Sequence, residues 1–294
     1  MKNNEFLTNF SNLARPLSNI KNIALVLLAF YLSGTEAGKY LWPAVLGIVS
    51  LSFVSSAMYL QNSFYDKEID KENKNKEYYA KAVEYFGQKT STNIFFVLAL
   101  AGFAAGLFIN AYFFSALSLL FLSGFFYSMK GTRFKEKPLL DVLFGAVFTY
   151  FFRFAAAWFI FSESFPPFLA ISGLVVAKAA GYLLYKEADR AYFKKANIKN
   201  SITSLSKRTV ILLSVFFWVL AVFSFILMCL NSVFNIGFLG SLPVKFLPLI
   251  FFAAPPLAAI YLKVSGVIKT EIKYLRTLGF IYWILVIATA VMLF

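Results

Sequence analysis

Three polar side chains near the end of an apolar segment have the types and the spacing to bind a metal ion. Asn62, Asp66 and Asp70 are four residues apart, and on an α-helix this spacing places all three side chains on one face over about two turns. Two carboxylates and an amide offer hard oxygen ligands, which suit Mg²⁺, and such sites usually bind substrate phosphates through the metal. The pattern therefore predicts a Mg²⁺ site for a phosphate-bearing substrate.

Basic side chains lie beside these oxygen ligands in the sequence. Lys67, Lys71 and Lys74 belong to the same helix end, where they could hold phosphate oxygens through charge-assisted hydrogen bonds. The alternative interpretation is a solvated helix end in which acids and lysines alternate for solubility. Because the preceding segment is apolar enough to cross a membrane, the location at the mouth of a membrane bundle favours the metal site.

The composition excludes several kinds of catalysis. The 294 residues contain no histidine, which excludes histidine-based triads, imidazole acid–base catalysis and His-ligated zinc. Cys229 has no second cysteine with which to form a disulfide in the chain. Catalysis must therefore use carboxylates, Lys, Arg, Tyr, Ser, Asn or a metal ion held by oxygen.

The hydrophobicity of the chain indicates an integral membrane protein. Hydrophobic residues make up 60% of the sequence, Phe alone contributes 37 residues, and the mean hydropathy is +0.71. A single soluble core cannot hide this much apolar surface, so lipid must solvate part of it. Apolar segments of about 20 residues predict nine transmembrane helices, at residues 18–36, 41–61, 92–110, 111–127, 138–161, 166–185, 209–231, 244–262 and 277–294.

The distribution of basic residues supports this count. With nine spans, the N-terminal tail and the loops after spans two, four, six and eight share one side of the membrane and carry 24 of the 28 Lys and Arg residues. Lys39 and Lys245 lie on the other side. By the positive-inside rule the basic side is cytoplasmic, so the N-terminus is predicted to be cytoplasmic at the cell membrane. This topology and anionic lipid explain the net charge of +14 without nucleic acid.

Several motifs resemble those of one enzyme family. The N-x-x-x-D-x-x-x-D pattern of Asn62–Asp70 resembles the first aspartate motif of the UbiA superfamily of intramembrane prenyltransferases. The R-P-x-x-x-I-K-N run of Arg15–Asn22 and the Y-S…R-x-K…P-L-L segment of Tyr127–Leu140 are also similar to segments of that family. The resemblance covers nearly the whole chain.

The resemblance implies a fold as well as an activity. It implies an all-α membrane protein with about nine transmembrane helices in one bundle around a central cavity. A cytoplasmic cap is expected from short helices in the loops 62–91 and 128–137. Residues 1–294 would form a single domain embedded in the lipid bilayer.

The second acidic motif of the family is incomplete in this sequence. The family usually has D-x-x-x-D after the sixth span, and Asp189 fits its first position while Phe193 occupies the second. Glu187 is two residues from Asp189, so the two acids do not share a face of a regular helix. The second metal site is either reduced to one ion or replaced by Lys186 and Arg190 contacting the diphosphate, and a local ion-pair network is the alternative.

The implied reaction is the transfer of a prenyl group from an isoprenyl diphosphate to a lipophilic or aromatic acceptor, with Mg²⁺ as cofactor. Phe-rich spans would line an apolar tunnel for the prenyl tail. The implied catalytic residues are Asn62, Asp66, Asp70, Tyr127 and Asp189. The implied metal ligands are Asp66, Asp70, Glu187 and Asp189. The implied diphosphate-binding residues are Arg15, Lys67, Lys74, Lys130, Arg133, Lys135, Lys186 and Arg190.

Two further charges fall inside predicted spans. Arg153 and Lys178 are intramembrane cations, and such residues are costly and functional by default. Asp141 is one possible partner for Arg153, but only through another helix or a substrate. Lys178 lies about two turns before Lys186 and could face the same cavity. A structural ion pair or a snorkelling side chain is the alternative for both.

Three other functions remain open on the sequence alone. Polyprenyl-phosphate phosphoribosyltransferases of the same superfamily are similar in the Arg15–Asn22 segment and in the weak second acidic motif. Carotenoid (lycopene) elongases are suggested by Glu68–Asn73 and Arg133–Asp141. A transporter or non-catalytic scaffold belongs to a different class, but no internal repeat is visible and the acids cluster at the membrane surface. Prenyl transfer ranks first because most of the superfamily shares the Asn62–Asp70 motif.

Overall fold

The chain folds into helices throughout the part that the structure describes. The structure, a computed structural model, describes residues 2–74, 76–234 and 236–243 and a few residues between 258 and 288. A π-helical turn, Leu143–Val147, joins the sixth and seventh α-helices. The α-helices up to residue 234 are α1 (Lys2–Ala14), α2 (Ile20–Ser33), α3 (Ala37–Glu72), α4 (Glu77–Leu107), α5 (Ala111–Ser128), α6 (Leu140–Val142), α7 (Phe148–Phe159), α8 (Phe168–Glu187), α9 (Arg190–Lys195), α10 (Ser201–Ser204) and α11 (Lys207–Phe234).

Seven helical segments among the described residues are long and apolar enough to cross a membrane. They match the first seven predicted spans in order, which confirms an all-α, multi-pass membrane protein. The eighth and ninth predicted spans, 244–262 and 277–294, lie largely outside the described residues, so the count of nine stays a prediction. The seven segments are Asn4–Ser33, Gly38–Glu72, Glu77–Leu107, Ala111–Ser128, Leu140–Phe159, Phe168–Glu187 and Lys207–Phe234.

The first helical segment begins earlier than the predicted start at residue 18. Helix α1 precedes α2 and is joined to it by a 3₁₀ turn, Pro16–Asn19. Leu13 of α1 is buried against Leu60 of α3 and Val83 of α4. The hydropathy pattern missed α1 because Asn, Ser and Thr dilute its apolar side chains.

Helix α3 lies at the centre of the described bundle and contacts α1, α2, α4, α5 and α7. Its contact with α4 is close at Gly102, where an added Cβ would lie 2.7 Å from the Val54 side chain and 3.1 Å from the Ser50 carbonyl oxygen. Small residues allow membrane helices to approach in this way. The packing holds α3 against its neighbours on several sides.

Two predicted turns are confirmed. Helices α4 and α5 form a hairpin, and Asn110 caps α5 by accepting a hydrogen bond from the Phe113 N–H at 2.8 Å. The Asn110 amide also donates to the Phe159 carbonyl at 2.6 Å. Pro167 occupies the N-cap position of α8, as the Pro166–Pro167 pair predicts.

The cap beside the acidic motif combines an extension of α3 with a short helical piece. Helix α3 continues to Glu72, past the predicted span end at residue 61. Helix α4 begins at Glu77 but is kinked at Gly87, whose φ is 70°, so the residues before Gly87 form a short helix ahead of the span, as predicted for the 62–91 loop. A 3₁₀ turn, Phe134–Glu136, lies in the other cap loop. Because α3 is continuous, Asp66 and Asp70 project from the same rod that crosses the membrane.

Candidate active site

One face of α3 carries a continuous row of polar side chains that ends in the two aspartates. Steps of three and four residues keep side chains on one helix face. Ser56, Ser63 and Asp70 of this row are buried. The prediction from sequence reached only the end of the row, although the spacing of the upstream serines and tyrosine is the signal that extends it. The row consists of Ser52, Ser56, Tyr59, Ser63, Asp66 and Asp70.

Asp66 is held by basic side chains from the loop between α5 and α6. Lys135 donates a hydrogen bond to Asp66 Oδ1, and Arg133 Nη2 lies 3.7 Å from the same oxygen. Arg133 also forms an ion pair with Glu136. Two of the predicted diphosphate-binding residues therefore lie at the first acidic motif.

Asp70 lies one turn further along α3 and is only 4% exposed. Among the described residues its carboxyl group has no hydrogen bond or ion pair. The positive charges of Lys76, Arg15 and Lys135 lie within electrostatic range. A buried carboxylate without a direct partner is costly, so this position favours the arrival of a further cation.

The second acidic motif contacts Lys76, which the sequence prediction did not include and which also lies within electrostatic range of Asp70. Asp189 is buried and accepts hydrogen bonds from Lys76 Nζ at 2.5 Å and Asn73 Nδ2 at 3.3 Å. Burial alone would lower the pKa of Lys76. Tyr185 and Asp189 outweigh that effect and raise the pKa above its ordinary value, with Asp70 adding to the same shift. Lys76 therefore stays protonated between two acidic motifs.

Glu187 and Asp189 have different partners, because the helix is interrupted between the end of α8 and the start of α9. The Arg190 guanidinium donates from Nε to Glu187 Oε1 and from Nη2 to Oε2, both at 2.7 Å. Arg190 Nη1 donates to the Leu205 carbonyl at 2.9 Å. This bidentate pair is the local ion-pair network weighed above, and it engages both Glu187 and Arg190.

Two tyrosines and a lysine form one wall of the site. Tyr127 OH and Tyr182 OH are 3.0 Å apart, and Lys186 Nζ lies 5.8 Å and 5.5 Å from the two ring centroids. Gly145 in the π-helical turn makes room for them, since a Cβ there would lie 2.6 Å from Tyr182 and 2.8 Å from Tyr127. The structure thus brings the predicted Tyr127 and Lys186 together.

Asn62 and Arg15 link α3 to neighbouring elements. Asn62 Oδ1 accepts a hydrogen bond from Ser128 Oγ at 3.1 Å, which ties α3 to the end of α5. Arg15 Nη2 donates to Ser63 Oγ at 2.6 Å, and its guanidinium lies 3.5 Å from the centroid of the Tyr79 ring. Asn62 therefore links α3 to α5, and Arg15 contacts α3 and α4.

Three predicted basic residues do not contact the aspartates. Lys67 lies 3.8 Å from Glu68 and 3.7 Å from Glu84, which turns it toward the surface of the cap. Lys74 and Lys130 are exposed. Sequence proximity alone selected these lysines, and the helix geometry directs Lys67 away from the face of Asp66 and Asp70.

The carboxyl groups of Asp66 and Asp70 suit a Mg²⁺ ion whose remaining ligands would be water and substrate phosphate oxygens. The predicted four-acid set is not assembled, since no group of three or more His, Cys, Asp or Glu side chains in the described part of the chain could hold a metal ion. Asp66 and Asp70 provide two carboxylates on one helix face, and the second is buried without a direct partner. Mg²⁺ commonly binds one or two carboxylates, water and substrate phosphates, so these two acids suit it.

Arg153 does not pair with Asp141. Asp141 is fully buried and accepts hydrogen bonds from the Ser201 N–H at 3.2 Å and from the Ser201 hydroxyl. Arg153 instead donates to Asn22 and Ser55. The three turns between the two residues on one helical segment, together with the approach of α10 to α6, explain the separate partners.

Sequence comparison identifies a family. A sequence model of the UbiA prenyltransferase family matches residues 23–264, which is more than half of the chain. A comparison with curated protein sequences gave no match.

Solved structures share the fold. A UbiA homologue from Archaeoglobus fulgidus bound to GPP and Mg²⁺ is 19% identical, with a TM-score of 0.70 over 96% of this chain and 98% of that one. A UbiA homologue from Aeropyrum pernix K1 in the apo state is 14% identical, with a TM-score of 0.72 over 94% and 97%. At these sequence identities, the structural similarity shows a shared fold.

Proposed function

The chain belongs to the UbiA prenyltransferase family, and on that premise we propose that it is a membrane prenyltransferase. The proposed reaction transfers a prenyl group from an isoprenyl diphosphate to a lipophilic or aromatic acceptor, with Mg²⁺ as cofactor. The observation that carries the proposal is the buried carboxyl group of Asp70, without a direct partner, one turn from Asp66 and surrounded by basic side chains. Residues 1–294 are proposed to act as one domain.

The donor would bind at the mouth formed by α3 and the loops beside it. Asp66 and Asp70 would hold Mg²⁺, which supplies neutralisation of the charge on the leaving diphosphate. Lys135 and Arg133 already lie at Asp66 and are placed to donate to diphosphate oxygens. Lys76 is placed to do the same from its position at Asp189.

The chemistry that this arrangement supports is ionisation of the donor. The bond between C1 of the prenyl group and the diphosphate oxygen breaks, and the electron pair leaves with the diphosphate. Cations held around a leaving anion stabilise the transition state. The rings of Tyr127 and Tyr182 lie beside Lys186, whose ammonium group would donate to the leaving diphosphate. The acceptor then forms a bond to C1 and releases a proton.

Solved relatives support the choice of donor and metal. Structures of the Archaeoglobus fulgidus homologue are described as bound to GPP and Mg²⁺ and to DMAPP and Mg²⁺. A third structure, 17% identical with a TM-score of 0.62 over 96% of this chain and 98% of that one, concerns digeranylgeranylglyceryl phosphate synthase.

The proposal is tested by measuring diphosphate release from purified protein in nanodiscs. One reaction contains Mg²⁺, geranylgeranyl diphosphate and a pool of lipid, quinone-precursor and carotenoid acceptors, with and without EDTA. A parallel reaction contains phosphoribosyl diphosphate and a polyprenyl phosphate. We expect EDTA-sensitive release in the first reaction, and product mass names the acceptor. Release only in the second reaction would assign phosphoribosyl transfer, and no release in either would overturn the proposal.

The double substitution Asp66→Asn with Asp70→Asn separates this mechanism from a contaminating activity. We expect turnover to fall about 100-fold or more, because the oxygen ligands lose their charge while α3 keeps its packing. Glu68→Gln is the matched control, since Glu68 lies between the two aspartates but its side chain is 77% exposed. Full activity in the double variant, with its gel-filtration profile unchanged, would rule out the proposed metal site.

A further inference from the structure

Arg153 is a buried cation without a counter-ion in the described part of the chain. It is 2% exposed, and its Nη1 donates to Asn22 Oδ1 and Ser55 Oγ, both at 2.6 Å. Its Nε has no hydrogen-bond partner among the described residues. Guanidinium groups bind carboxylates and phosphates through two parallel N–H groups. Arg153 therefore keeps an unused edge of the kind that binds an oxyanion.

Two lysines from other helices lie beside Arg153. Lys21 of α2 donates a hydrogen bond to the Tyr59 hydroxyl, and it precedes the α2 residue that binds Arg153. Lys178 Nζ of α8 lies 5.1 Å from the ring centroid of Tyr150, one turn from Arg153 on α7. Both lysines are surrounded by protein and yet keep partly accessible side chains. A bound ligand could therefore reach both side chains.

Acidic residues do not neutralise this cluster of three cations. Of the 14 acidic residues in the chain, all but Glu271 lie in the described part, and none of those forms an ion pair with Lys21, Arg153 or Lys178. Glu271 falls in the loop predicted between the eighth and ninth spans, at the membrane surface. The charge of Lys178 is instead repelled by those of Lys21 and Arg153. An anion that bound among them would relieve both desolvation and repulsion.

The cluster lies deeper in the bundle than the aspartates. Ser55 is 11 residues before Asp66 on α3, which is about 16 Å at the rise of an α-helix, and Tyr59 is about 10 Å before it. These cations would repel an allylic cation, so this region does not suit stabilisation of the prenyl group. It suits a negatively charged group that extends inward from the mouth.

We propose that Arg153, Lys178 and Lys21 form a second anion site, which binds the phosphate or carboxylate group of the acceptor. The identification of the ligand as the acceptor rests on the proposed function, whereas the anion site itself rests on the contacts of the three cations. The acceptor is then an elongated molecule with its nucleophile at the mouth and its anionic group about 10–16 Å deeper.

The test uses the full-length protein in nanodiscs of zwitterionic lipid. Geranyl thiodiphosphate with Mg²⁺ is added first, so that the mouth is filled by a donor analogue that does not ionise readily. Calorimetric titrations then follow hexyl phosphate, hexanoate, hexanol and inorganic phosphate, with empty nanodiscs subtracted. The variants are Arg153→Gln and Lys178→Met, and Lys39→Met is the matched control because Lys39 lies at the predicted opposite side of the membrane. Lys178 contacts a ring face, so its variant is expected to fold even if Arg153→Gln does not.

We expect hexyl phosphate or hexanoate to bind at least about tenfold more tightly than hexanol. Lys178→Met should weaken that binding at least about tenfold, with the thiodiphosphate affinity unchanged within about twofold and Lys39→Met like the unmodified protein. The preferred headgroup identifies a phosphate or a carboxylate acceptor. Equal binding of hexanol, or wild-type anion affinity in Lys178→Met, would overturn the site.

Two further results test the assignment of the ligand and the proposed donor site separately. Inorganic phosphate that binds as tightly as hexyl phosphate would identify free phosphate as the ligand and overturn the assignment to the acceptor. Failure of geranyl thiodiphosphate to bind, with anion binding at the Arg153 cluster retained, would overturn the proposed donor site and leave the second anion site standing.

Discussion

At the scale of single residues, lysine ammonium groups contact one acid of each acidic motif. Lys135 contacts Asp66, and Lys76 contacts Asp189. A charged pair that is buried and hydrogen bonded is costly to break on one side only. The ammonium groups therefore hold the two acids in position, and under the proposed function a metal ion and a diphosphate would replace those contacts.

Lys76 and Lys74 provide a matched test of this idea, since they lie two residues apart in the same loop. Lys76→Met removes the partner of a buried carboxylate, and we expect donor affinity to fall about tenfold or more. Lys74 is exposed, so Lys74→Met should change the affinity by less than about twofold. Titration with geranyl thiodiphosphate and Mg²⁺ measures both, and equal effects would contradict a special role of Lys76.

Glu187 and Asp189 are expected to behave differently although they lie two residues apart. Glu187→Gln weakens the bidentate pair with Arg190, so it should lower stability by about 1–3 kcal/mol and leave turnover within about threefold of the unmodified protein. Asp189→Asn removes the charge that faces Lys76, and we expect turnover to fall at least about tenfold. Thermal unfolding and diphosphate release measure the two effects. A larger loss of turnover in Glu187→Gln would indicate that Glu187 binds metal.

At the scale of elements, α3 is a single rod that crosses the bundle and carries the first acidic motif. Its polar face runs from Ser52 to Asp70, and its opposite contacts include the close approach of α4 at Gly102. Because the helix does not break at the membrane surface, packing inside the bundle determines where the two carboxylates lie. Functional groups on a helix are held more precisely than groups on a loop.

The contact at Gly102 is expected to determine the stability of the α3–α4 pair. In Gly102→Ala the new Cβ meets backbone atoms of α3 at 3.1 Å, so we expect a loss of about 1–3 kcal/mol through overpacking. Gly181→Ala is the control, because no atom lies within 4 Å of its added Cβ, and it should be neutral or slightly stabilising. Thermal unfolding in detergent compares them. An unchanged midpoint for Gly102→Ala would show that the helices can separate without cost.

At the scale of the whole molecule, the uneven distribution of Lys and Arg predicts the orientation. In a Cys229→Ser background, we expect Thr8→Cys to resist a membrane-impermeant maleimide in intact cells, because α1 is predicted to be cytoplasmic. Glu163→Cys, in the exposed loop between α7 and α8, should react. Inside-out vesicles should show the reverse pattern, and labelling of Thr8→Cys in intact cells would contradict the orientation.

The sequence by itself determined the helical membrane fold, the order of seven spans and the position of Asp66 and Asp70 on one face of α3. These features follow from the length of apolar runs and from helical periodicity, which are local properties of the chain. The same local reasoning selected Lys67 and Lys74, and it placed Asp141 among the possible partners of Arg153.

Only the tertiary structure decided which distant side chains meet. Lys76 reaches Asp189 across more than a hundred residues, and Arg153 meets Asn22 and Ser55 from two other helices. No sequence period carries such contacts, because they depend on how separate helices pack and on where the helix break after Glu187 sends the next side chain. The acidic motif can therefore be predicted from the sequence, whereas the contact of Lys76 with Asp189 and the partners of Arg153 depend on the packing of separate helices.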